Sequence, residues 1–202
     1  MSPSSEAVLI DDADLVGANL TGDHSGRTVS FVQFSGCRID GAQLVGTRLE
    51  SSRLTDCVVV GCDLSGLVLQ DSACTRVEFR NCRVSGLQAA RCRFRDVAFL
   101  GCRLDGANFR MTTWERAEFE DCEIIDGDFY AAILPASRFI GCDLTGVQLS
   151  KSTLTGTAFQ RSVITRLQGA ESLVGVTLSS DMVLPAALAL FSAMSITVED
   201  EL

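Results

Sequence analysis

The chain has 202 residues, 47% of them hydrophobic, with 17 Lys plus Arg against 26 Asp plus Glu for a formal net charge of −9. A chain this apolar is not a disordered acidic segment, and its acidic balance excludes binding a nucleic-acid backbone through bulk charge. The odd count of 9 Cys fits a disulfide framework poorly, and a single histidine, His24, is too little for a zinc site or a Ser/His or Cys/His nucleophile pair.

The start, Met1-Ser-Pro-Ser-Ser-Glu6, has neither the basic n-region nor the apolar stretch of a signal peptide, so a cytoplasmic chain with reduced thiols is expected. Residues 1–8 are expected as a flexible tail. From residue 9 to residue 180 one internal repeat organises the sequence, and internal repeats are read first because they decide the fold. Ile10, Leu15 and Leu20 open it with Ala13 and Ala18 as small partners. The step from Leu20 to Val29 is nine rather than ten, which predicts a register slip near 21–28 in a loop around Gly22-Asp-His24-Ser-Gly26.

From Phe34 to Ile164 every fifth residue is apolar, twenty-seven positions without a break. Two residues before each of these centres sits a second periodic position, mostly small or β-branched, as in Cys37, Ala42, Thr47 and Ser52. The other three positions are polar, charged or Gly. A period of five fits neither 3.6 nor 2.0, so it describes neither an amphipathic helix nor a simple strand. It describes a chain that turns a corner every five residues with one large and one small side chain inward.

This unit resembles the pentapeptide-repeat family, whose repeat reads small-x-Leu/Phe-x-x, as in Ala42-Gln-Leu44-Val-Gly46 and Ala107-Asn-Phe109-Arg-Met111. The resemblance implies an all-β fold, a right-handed quadrilateral parallel β-helix in which four pentapeptides make one 20-residue coil. Residues 20 apart should then stack. Phe79, Phe99, Phe119, Phe139 and Phe159 form one such column, and Cys62, Cys82, Cys102, Cys122 and Cys142 form another at the small position. Both are expected as packing. Eight of the nine cysteines take the small inward place and Cys74 replaces a centre, so no metal, redox or catalytic residue and no cofactor is expected.

Exposed charges at steps of 20 predict pairs between coils. Asp56, Arg76, Asp96 and Arg116 alternate in sign, Asp63 faces Arg83, Arg103 faces Glu123, and Glu118 faces Arg138. Once pairs are removed, Glu115, Glu120, Asp121, Asp126 and Asp128 remain as a candidate acidic interaction patch, while residues 76–110 form a basic band. Val58, Val60, Val68, Leu100, Ile125, Ile133 and Ile140 are candidate apolar contacts.

After a second slip near 165–172, about eight coils are complete. Residues 181–198 then read as a C-terminal capping and dimerisation helix, with Ser180 or Asp181 as its cap and Leu184, Leu188, Leu190, Phe191 and Met194 as the candidate dimer interface. Its uncharged stretch falls short of the ~20 residues of a membrane span and contains Pro185, Ser192 and Ser195, so no membrane partner is expected. Residues 199–202 form an acidic tail.

The best-known members of the family group that confers quinolone resistance are rod-shaped dimeric decoys that occupy the DNA-binding saddle of bacterial DNA gyrase. The resemblance therefore implies a non-enzymatic DNA mimic that binds DNA gyrase and itself, and no nucleic acid directly. The alternative is a structural protein-interaction module, with a polysaccharide-acting β-helix enzyme as a distant third.

Overall fold

The computed structural model describes residues 8–197. Within them the chain winds as a right-handed, four-sided parallel β-solenoid of about eight coils, closed at one end by helix α1 (Val183–Ala193). The expected tail at 1–8 apart from Val8, the last residue of the expected 181–198 segment and the acidic tail at 199–202 lie outside the described residues. Each coil hydrogen-bonds in parallel to the one before it, with Arg93↔Ala73 and Arg93↔Thr113 as typical partners 20 residues apart. At ~4.8 Å per coil the rod is roughly 35–40 Å long.

A coil with straight five-residue sides needs one sharp bend per side. The residue two after each centre supplies it by adopting positive φ, through glycines such as Gly41 and Gly106 and through non-glycine residues such as Asp56, Arg76, Met111 and Ala131. Corners after Leu64, Leu104 and Phe129 are closed by an N–H donating to the carbonyl three residues back. Four longer strands, Arg53–Val60, Ala73–Arg80, Arg93–Leu100 and Thr113–Glu120, run straight through a corner and carry the left-handed residue in their middle.

We number the four faces by their centres: the first through Phe34 and Leu54, the second through Ile39 and Val59, the third through Leu44 and Leu64, the fourth through Leu49 and Leu69. All these centres are buried. On the second face the rings of Phe79, Phe99, Phe119, Phe139 and Phe159 stack at centroid spacings of 4.6, 5.3, 4.7 and 4.9 Å, within 5° of parallel. Phe94 stacks on Trp114 at 4.0 Å on the first face, Phe109 on Phe129 at 5.0 Å on the fourth, and edge contacts such as Phe119 on Phe129 at 87° join the columns. Each ring pair contributes about 0.5–1.5 kcal/mol beyond its buried area. The half of the core before Phe79, built mainly from Leu, Ile and Val, retains a void of about 20 Å³.

The first coil departs from the expected register. Leu9, not Ile10, is the interior residue, and Ile10 is 56% exposed. Interior places then fall at Leu9, Leu15, Leu20, His24 and Val29, steps of six, five, four and five. An extra residue beside Asp12, itself at positive φ, offsets the missing one between Leu20 and His24. His24 is therefore a buried centre and not a loop residue, with Nε2 2.8 Å from the Thr21 carbonyl. At the far end Ala158 pairs with Thr177, 19 residues on, and the missing residue is absorbed where the chain tightens into a 3-10 turn, Ala170–Ser172. Gly169 begins that turn at φ 76°, and a Cβ there would lie 2.2 Å from the Ser150 backbone nitrogen.

Two stability predictions follow from this geometry. Phe119→Ala leaves a cavity between stacked rings that cannot collapse, and costs roughly 3–5 kcal/mol in urea unfolding. Ala131→Gly relieves a left-handed corner at the loss of one half-buried methyl, and is expected to raise stability by up to about 1 kcal/mol in the same measurement.

Candidate protein-interaction surfaces

The cysteines are part of the interior hydrogen bonding. The thiols of Cys62, Cys82, Cys102, Cys122 and Cys142 each donate both to the carbonyl two residues back and to a centre carbonyl of the preceding coil, as Cys122 does to Glu120 at 3.3 Å and to Phe99 at 3.2 Å. Ser72 and Thr47 make the same backward bond from the same position. Burial pushes the thiols of Cys57, Cys74 and Cys92 up, away from the thiolate that chemistry would need. Among the described residues no group of three His, Cys, Asp or Glu side chains converges as a metal site.

Surface charge follows the coil spacing. Arg76 Nη2 donates to Asp56 at 2.8 Å and Arg116 Nη2 to Asp96 at 2.9 Å, each a bidentate pair reaching one coil back. Arg103 meets Glu123 at 2.9 Å and Arg138 meets Glu118 at 3.1 Å. Asp63 and Arg83 are adjacent in the ladder but form no ion pair. The Asp63 carboxylate turns instead to the N–H and hydroxyl of Ser65, because a two-residue reach costs less ordering than meeting a long arginine on the next coil.

The five residues expected as an acidic patch do not share one face. Glu115 lies on the first face, Glu120 and Asp121 where the second ends, Asp126 at the next corner and Asp128 on the fourth, so they ring a single coil. Two of them are neutralised: Glu115 by Arg95 and Arg116, both at 2.7 Å, and Asp128 by Arg110 at 2.8 Å. Glu120, Asp121 and Asp126 have no cationic partner among the described residues. Arg110 and Lys151 also flank the Tyr130 ring, at 4.3 and 5.2 Å from its centroid.

Over residues 28–168 the sequence carries 16 acidic and 16 basic side chains, so the entire −9 resides outside those coils. B-DNA carries about one negative charge per 1.7 Å, roughly 20 over the same length. Taken together the continuous coils carry no net charge, the basic band at 76–110 offsetting the carboxylates on either side of it.

The described part of the expected C-terminal segment contains α1. Met182 and Ala186 are buried against the last coil, with Ala189 and Leu190 packed partly beneath. Leu190 therefore belongs to the capping face, whereas Leu184 and Met194 are more than 60% exposed and Leu188 and Phe191 are exposed beside them. An apolar groove of about 380 Å³ runs between helix and coil, lined by Ile164, Leu167, Leu184 and Leu188 with Arg166 at its rim. Among the expected side contacts Ile133 is exposed, Ile140 is buried, and Val58, Val60, Val68, Leu100 and Ile125 are half-buried between their neighbours in the ladder. Periodicity alone missed the exposed Phe31 and Met111, which occupy left-handed corners where their side chains cannot turn inward. Among the described residues no helix is long and apolar enough to cross a membrane.

Three family models match the chain: the pentapeptide repeat region over residues 28–109, and pentapeptide repeats over residues 89–133 and 122–161. A trypsin-treated variant of QnrB1, a plasmid-mediated fluoroquinolone resistance protein, is 21% identical over 94% of this chain and 99% of its own, with a TM-score of 0.52. Full-length QnrB1 is 18% identical over 94% and 98%, with a TM-score of 0.46. HetL, a pentapeptide repeat protein involved in heterocyst differentiation regulation in the cyanobacterium Nostoc, is 15% identical over 86% and 90%, with a TM-score of 0.31. At 21% identity the likeness to the first of these is one of fold. No curated protein matches in sequence.

The paired corners give a pH prediction. Arg76 holds the Asp56 carboxyl below its ordinary range and Arg116 does the same for Asp96. A depressed folded-state pKa contributes stability that is present above the unfolded value, near 3.9, and is lost as pH falls through the folded value. Melting temperature is expected to drop on acidification below about pH 4, and Arg76→Gln with Arg116→Gln is expected to flatten that drop.

Proposed function

The chain belongs to the pentapeptide-repeat family, and from that premise we propose that it is a non-enzymatic protein-binding rod that pairs with a second copy through α1. The observation that supports this is the two-sided helix. One side, with Ala186 and with Met182 of the preceding turn, closes the last coil, and the other leaves Leu184, Leu188, Phe191 and the following Met194 in solvent beside an apolar groove. A cap alone needs only the first side. Exposed apolar area of this kind, contiguous with a groove, is characteristic of association surfaces.

The balanced coils favour a protein-contact surface over a DNA-like one, since a decoy for a DNA-binding saddle must present phosphate-like charge along its length. A second reading, binding to DNA gyrase, is favoured by Glu120, Asp121 and Asp126, the carboxylates of the central coil that lack cationic partners. Two rods joined at α1 would span ~75 Å, about 22 base pairs at ~3.4 Å per step.

One measurement tests the helix pairing and a second tests the gyrase reading. Light scattering of Phe191→Asp is expected to give a monomer where the parent chain gives a dimer; a persistent dimer places the contact elsewhere. In a gyrase supercoiling assay the protein is expected to inhibit only if the second reading holds. Inhibition should then weaken at least tenfold in a Glu120→Gln, Asp121→Asn, Asp126→Asn chain.

A further inference from the structure

The charge of residues 28–168 sums to zero, and it is also divided between opposite faces. On the first face the outward positions of the coils carry Arg53, Arg93 and Arg95 against two carboxylates: Asp14, on the first coil at the foot of the Arg53–Arg93 column, and Glu115, which Arg95 already holds. Arg53 and Arg93 have no carboxylate within ion-pair distance among the described residues. They stand in one column with Ala73 between them, a side chain too short to cover either guanidinium.

On the opposite, third face the outward positions carry Asp23, Asp63, Asp105, Glu123 and Asp143 against Arg83 and Arg103. Arg103 is taken by Asp105 and Glu123. Asp23, Asp63 and Asp143 are left without a cation among the described residues, each carboxylate held outward by a backbone N–H two residues on, at 2.9, 3.0 and 2.9 Å. Asp23 and Asp63 also share a column with one uncharged residue, Gln43, between them. The Arg53–Arg93 pair and the Asp23–Asp63 pair thus share one interval, two coils or ~9.6 Å, on opposite sides of the same rod, with Arg83, also unpaired, one coil beyond Asp63.

We propose that the first face docks the third face of a second copy, so that rods associate side by side. The occupant follows from complementarity of charge and interval, both set by the coil rise. Two copies translated by a fraction of the rod length bring the Arg53–Arg93 column against the Asp23–Asp63 column with one shift for both pairs. Because the two surfaces differ, the contact is heterologous and leaves an unused basic face on one copy and an unused acidic face on the other, so it propagates rather than closing. This contact goes beyond the helix pairing and is independent of it.

The experiment is sedimentation velocity on the full chain carrying Phe191→Asp, which removes the helix contact, at ~20 mM and ~500 mM salt, where screening lengths differ about fivefold. The expected result is mass above the monomer at low salt and monomer at high salt. The parent chain should show the same salt-dependent increment above its dimer, so the test does not depend on the helix variant folding. Arg53→Glu with Arg93→Glu, and Asp23→Lys with Asp63→Lys, should each abolish association alone, the first chain being acidic on both faces and the second basic on both. Mixed in equal amounts the two should associate again. A monomer at low salt, or a mixture that stays monomeric while both variants melt like their parent, overturns the proposal.

Discussion

The whole structure depends on one backbone requirement: every fifth residue must enter the left-handed region so that the chain can turn a corner. For a residue with a Cβ this costs roughly 1–2 kcal/mol, and the solenoid accepts it at many non-glycine corners. The return is collective. Straight sides between identical bends let each coil lie on the last with every ladder bond aligned and every centre over a centre. The stacked rings from Phe79 to Phe159 and the backward-reaching thiols are consequences of that alignment.

The corners also regulate one another up the rod. Four of the six left-handed aspartates among the described residues are answered one coil later: Asp56 by Arg76 and Asp96 by Arg116, which pair with them, and Asp121 and Asp126 by glycines that leave room for the side chain. Asp121 lies over Gly141 and Asp126 over Gly146, where a Cβ would meet the carboxylate oxygen at 2.4 and 2.1 Å. Glycine at those two sites therefore answers a steric demand from the preceding coil as well as a conformational one of its own. The same coupling explains why Asp121 and Asp126 remain without cations: their side chains lie along the rod over glycine.

What the sequence makes legible is whatever repeats. The five-residue period, the aromatic column and the Asp56–Arg116 alternation can be read because each is a strict arithmetic series. What it hides is the choice among local alternatives at one position. Leu9 and Ile10 are equally apolar, and only the extra residue near Asp12 decides which turns inward. Asp63 could reach Arg83 or Ser65 and takes the shorter route. The candidate acidic residues are close in number yet ring a whole coil, so proximity along the chain misled where proximity along a column would not have. Leu190 shares a helix with Leu184, but a rotation of two-thirds of a turn assigns one to the rod and the other to solvent.

The first coil, with its steps of six, five, four and five, shows what the solenoid holds constant. The sides can vary; the circumference cannot. Like a screw thread, the rod tolerates an uneven turn only if it finishes at the starting angle, since otherwise every later side would be displaced from the one beneath. The uncompensated short coil before Thr177 sits where this rule lapses, with only α1 still to be placed above it. A single-residue deletion is therefore expected to survive at the terminal coils and to require a neighbouring insertion in the middle, so that length changes along the axis come in whole turns.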